Sequence, residues 1–166
     1  MLGRLSTRTL VLSAFPMLAC SPLEASTLVE GPVVELDAER PVVSFEIALC
    51  TDRQGSATVR PTVTASFEAD GMLTPPPELE VVLERASDGD RRATLRPGDE
   101  IDLHPDDRGP WQEGRRGCGP RQRVTFELVG RPEDTARVAW SVTMVAYATT
   151  GSIEDGDLSI EVVEVP

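Results

Sequence analysis

The chain is expected to fold as an antiparallel β-sandwich of about eight strands. Three observations carry this expectation: beyond residue 32 apolar side chains recur at every second position, clusters of Gly, Pro and Asp interrupt them at regular intervals, and no window shows the 3.6-residue period of an amphipathic helix. Successive side chains of a strand point to opposite faces, so this alternation is what a sheet with one buried face requires.

The elements follow in order. "PVVELD" is the first short strand. In "PVVSFEIAL", Val43, Phe45, Ile47 and Leu49 share one face, and the short "CTDRQGS" turns the chain into "ATVRPTVTASFEAD". There Val59, Val63, Ala65 and Phe67 face inward while Arg60, Thr62, Thr64, Ser66 and Glu68 face out. Pro61 offers no N–H, which places that segment at an edge or a bulge. Next come "ELEVVLE" with Leu79, Val81 and Leu83 inward, "EIDLH" with Ile101 and Leu103, and "RVTFELV" with Val124, Phe126 and Leu128. "ARVAWSVTMVAYAT" buries Val138, Trp140, Val142 and Met144, and "DLSIEVVEV" buries Leu158, Ile160 and Val162. Between them stand "ADG", "TPPPE", "SDGD", "RPGD", "GRPED" and "EDGD", all turn chemistry. Short strands, regular turns and a valine-rich core predict an immunoglobulin- or fibronectin-like layout. Trp140 follows Cys50 and Cys118 instead of lying between them, so the antibody-type hallmark is absent.

The amino terminus has a different logic. "MLGRLSTR" carries Arg4 and Arg8 and no acid, and "TLVLSAFPMLA" is an apolar run of eleven residues. A membrane-spanning helix needs roughly 20, so residues 1–19 read as an export signal. The run ends in "MLAC": Met17, Leu18, the small Ala19 and then Cys20. This resembles the lipobox of bacterial lipoproteins. The resemblance implies that the signal is cut before Cys20, that the Cys20 sulfur is diacylated and that its new amino group is acylated as well. Ser21 lacks the aspartate that marks inner-membrane retention in that class, which points to the outer membrane. Residues 20–31, containing "SPLEASTLVEG", read as the lipidated cysteine and a tether, and residues 32–166 as the sandwich domain.

Charge and cysteines narrow the partners. The full chain has a formal net charge of −12, and loss of residues 1–19 removes two arginines and no acid. Such a surface repels nucleic acid. The expected partners are the membrane, through the anchor at Cys20, and an envelope protein. An exported chain meets an oxidising compartment, so Cys50 and Cys118 are expected to form a disulfide.

The longest irregular stretch, "HPDDRGPWQEGRRGCGPR" at residues 104–121, is the candidate ligand-binding loop. It holds the single histidine, His104, with Asp106, Asp107 and Trp111, and Asp102 just precedes it. Trp111 could stack on a sugar, and a carboxylate-rich set with one imidazole would suit Ca²⁺ or Mn²⁺ better than Zn²⁺. A solvated acidic loop is the simpler account, and "SDGD" and "EDGD" are turns lacking EF-hand spacing. A Ser-His-Asp hydrolase would have to use His104, and no "GxSxG" elbow supplies its serine. No catalytic residue, resident metal or cofactor is expected. The reading is a non-catalytic, membrane-anchored binding or structural module. Carbohydrate or metal binding through the 104–121 loop is the alternative, and a small hydrolase is the weaker one.

Overall fold

The computed structural model describes residues 24–52, 57–69, 75–84, 89–103, 117–119, 121–131, 133–148 and 154–166. Among them are eleven strands: β1 Glu24–Glu30, β2 Val34–Leu36, β3 Val42–Thr51, β4 Ala57–Ala69, β5 Glu78–Glu84, β6 Arg91–Leu95, β7 Glu100–Leu103, β8 Gly117–Cys118, β9 Gln122–Val129, β10 Ala136–Ala148 and β11 Leu158–Val165. A single 3-10 turn, Asp155–Asp157, precedes β11. The strands form two antiparallel sheets packed face to face, a β-sandwich. One sheet runs β1-β10-β4-β7 and the other β11-β3-β9-β5-β6.

β2 continues β1 along β10, and β8 lies with β9 along β3. With each of these pairs taken as one interrupted strand, the sheets read as the first, eighth, third and sixth strands and as the second, seventh, fourth and fifth. That is the double Greek key of a jelly roll, with β11 added beside β3. The order departs from the immunoglobulin-like layout expected from turn spacing, in which more consecutive strands are neighbours within one sheet. Among the described strands only β5 and β6 form a hairpin of adjacent strands, and nearly every other pair of consecutive strands lies in different sheets.

The inward faces are those that the alternation identifies. Val43, Phe45, Ile47 and Leu49 of β3, Val63, Ala65 and Phe67 of β4, and Val124 and Phe126 of β9 are all buried. At the centre Trp140 lies 4.8 Å from Phe45 and 5.4 Å from Phe126, ring centre to ring centre. Each such side chain contributes about 1.5–3 kcal/mol by leaving water. Pro61 pairs with Met144 on one side and lies outside the β7 ladder, which spans Val63 to Ser66. Among the described residues β4 is a local edge there, where a missing N–H costs nothing.

One boundary requires correction. Residues 24–30, read as tether, form β1 and pair with β10 from Glu24↔Tyr147 to Glu30↔Ser141. Ala25 is buried against Ala146. The strand goes unread because its polar positions, Ser26 and Thr27, blur the alternation, and its one buried residue is only an alanine. β1 breaks at Gly31, whose N–H donates to the Trp140 carbonyl at 2.9 Å. The next carbonyl, of Pro32, accepts the indole N–H at 3.0 Å. A Cβ at Gly31 would collide with the indole ring, so glycine is required at that approach.

Candidate functional site

The site begins where β3 ends. Cys50 is the penultimate residue of β3, and its register partner is Cys118 of β8. The two form the expected disulfide across a directly opposed antiparallel pair. Cys50 is buried and Cys118 exposed, and the Gly119 N–H donates to the Leu49 carbonyl at 2.9 Å just beyond the bridge. Gly117 has φ of 122°, a conformation that favours glycine over residues with a side chain.

These contacts clamp one foot of the long 104–116 stretch to the sheet. The other foot is Leu103, buried at the end of β7. Beside it the Asp102 carboxylate accepts a hydrogen bond from the Thr64 hydroxyl at 2.6 Å. Asp102 is therefore held on the sheet surface by its cross-strand neighbour. His104, Asp106, Asp107 and Trp111 lie outside the described residues, as does Cys20.

In the acidic turns among the described residues, carboxylates are engaged by backbone N–H groups, one of them from β1. In the β10–β11 turn the Ser26 N–H donates to Asp155 Oδ1 at 2.8 Å, and the Glu154 N–H donates to Asp157 Oδ2 at 2.9 Å. At "RPGD" the Asp99 N–H donates to the Arg96 carbonyl, the Arg96 N–H returns a bond to Asp99 Oδ2, and Gly98 has φ of 91°. That is a type II turn with proline and glycine at its central positions. In the β9–β10 turn Asp134 is 1% exposed, and its Oδ2 accepts the Arg131 N–H at 2.6 Å.

The described residues hold one geometric gathering of metal-ligating types. The Glu161 carboxylate lies with the sulfurs of Cys50 and Cys118, all within 4.8 Å of one another. Those sulfurs are bonded to each other, so neither is a thiolate free to ligate. On the outer face of the second sheet the charges pair: Glu46 with Arg121 at 3.1 Å and Arg123 at 3.6 Å, and Glu80 with Arg92 at 2.9 Å. The hydrogen bond and charge of Glu80 raise the Arg92 pKa above its ordinary value, so this guanidinium stays charged. These exposed pairs are a solvated surface of little energetic weight.

Sequence reasoning misses the flank where β1 and β11, the outer strands of the two sheets, lie against each other. The alternation of "DLSIEVVEV" signals β11, but the polar middle of residues 24–30 hides the strand beside it. No protein-family model matches the chain, and comparison with curated proteins returns no match.

Proposed function

We propose that this protein is a lipid-anchored component of the bacterial envelope, its sandwich a non-catalytic binding or structural module. The observation that carries the reading is Cys20 at the end of "MLAC", behind a basic and then apolar leader too short to span a membrane. Two or three acyl chains at about 0.8 kcal/mol per buried methylene make detachment negligible, whereas one chain holds only marginally. The outer membrane is the favoured location, because Ser21 follows the cysteine.

The early start of β1 sharpens this reading. Only residues 21–23 separate Cys20 from Glu24, a reach of about 14 Å when extended. An anchored domain would therefore sit close to the bilayer, with the end bearing Glu24, the disulfide and the 3-10 turn nearest to it. A carbohydrate- or metal-binding role for the 104–121 loop is the second reading. It is favoured by the fixing of both feet of that loop, at Leu103 and Cys118.

Fractionation of cells expressing Cys20→Ala tests the anchor. Loss of the protein from the membrane fraction, with loss of the acyl mass from residue 20, is the expected result. Unchanged membrane partitioning would refute it.

A further inference from the structure

The outer strands of the two sheets, β1 and β11, meet along one flank of the sandwich. Each of the two pairs on one side only among the described residues: β1 with β10 and β11 with β3. At one end the seam between them is closed: Ala25 and Leu158 are buried, and the Ser26–Asp155 hydrogen bond ties the two sides together. Farther along, the inward rows are half-buried, with Thr27 and Val29 on β1 and Ile160 and Val162 on β11. At the far end Glu164, in the same inward row, is half-exposed and pairs with Arg40. Outside the seam Leu28 is 57% exposed and Val163 47%. The core is therefore progressively uncovered along β11, while the backbone there offers a free edge.

We infer that this edge takes up an extended, basic segment of a partner protein by β-augmentation, its alternate apolar side chains entering the seam against Val29, Ile160 and Val162. The inference deepens the binding-module reading and rests on it. Charge selects the occupant. Glu30 and Glu161 stand exposed on the outer rows of β1 and β11 and Glu164 on the inward row of β11, in a chain of net charge −12, and Arg40 is the one described cation paired to this edge. A second copy is the poorer occupant, because two chains that each carry a net charge of −12 repel one another. Main-chain bonds would give the affinity, and the side-chain period of two would give the specificity.

The test uses the full-chain protein and a capped peptide of alternating valine and lysine with the 8-residue length of β11. One control peptide replaces lysine by glutamate, and another keeps the composition but segregates the valines from the lysines. The lysine–valine peptide should slow amide exchange along β11 and leave β6, the opposite edge of the same sheet, unchanged. Both controls should fail. Glu161→Lys should weaken binding about two- to fivefold, the scale of one cross-strand charge pair. Val163→Lys, whose side chain is exposed, serves if that variant folds poorly. No protection of β11, equal protection at β6, or self-association through β11 would overturn the proposal. The Cys20→Ala fractionation reads anchoring alone, so a failure of either experiment leaves the other interpretable.

Discussion

At Gly31 two demands meet: the chain must carry β1 past the broad face of Trp140, and the following carbonyl must reach the indole N–H. A side chain at 31 satisfies neither. Gly31→Ala should cost about 1–3 kcal/mol, the range for forcing a methyl group into a filled interior. Urea unfolding followed by Trp140 fluorescence measures it; Trp111, the other tryptophan, should first be changed to Phe so that the signal is unambiguous. A midpoint unchanged from the parent would mean that the indole has room to move. Asp134 shows the same economy in the β9–β10 turn, where one buried carboxylate replaces solvent for the Arg131 N–H. Its turn chemistry was legible in "GRPED". Its burial was not, because the turn is covered where Gly130 approaches Pro77, which precedes β5 far away in the sequence.

Among the elements, β1 decides where the domain begins. If residues 24–30 belonged to a tether, a charge at position 25 would be harmless. Because Ala25 faces Ala146 in the interior, Ala25→Asp should destabilise the fold by about 2–4 kcal/mol through an unpaired buried carboxylate. Thermal melts of the two proteins check this. The eight strands with strong alternation were legible, and three were not. β1 is polar in its middle; β6, "RRATL", has its period masked by two arginines; β8 is only two residues long and exists because the disulfide holds it to β3. Each is an outer or short strand whose partner supplies most of its stability, so its own residues carry little signal.

For the whole molecule the Cys50–Cys118 bridge is the largest single constraint. It closes 68 residues, for which chain entropy predicts roughly 4 kcal/mol. The double variant Cys50→Ala and Cys118→Ala should therefore melt about 10 °C lower in calorimetry. A shift under a few degrees would show that the bridge secures β8 and the foot of the loop without supporting the sandwich. The two-sheet class, the inward faces of seven strands and the pairing of the cysteines were all determined by the sequence, because the period of two, the turn residues and the scarcity of thiols are local or compositional properties. The jelly-roll order, the inclusion of residues 24–30 and the half-open seam beside β11 were decided only in three dimensions. Which strand lies beside which depends on competition among many alternating segments of similar composition, and that competition is resolved only when the two sheets pack around Phe45, Phe126 and Trp140.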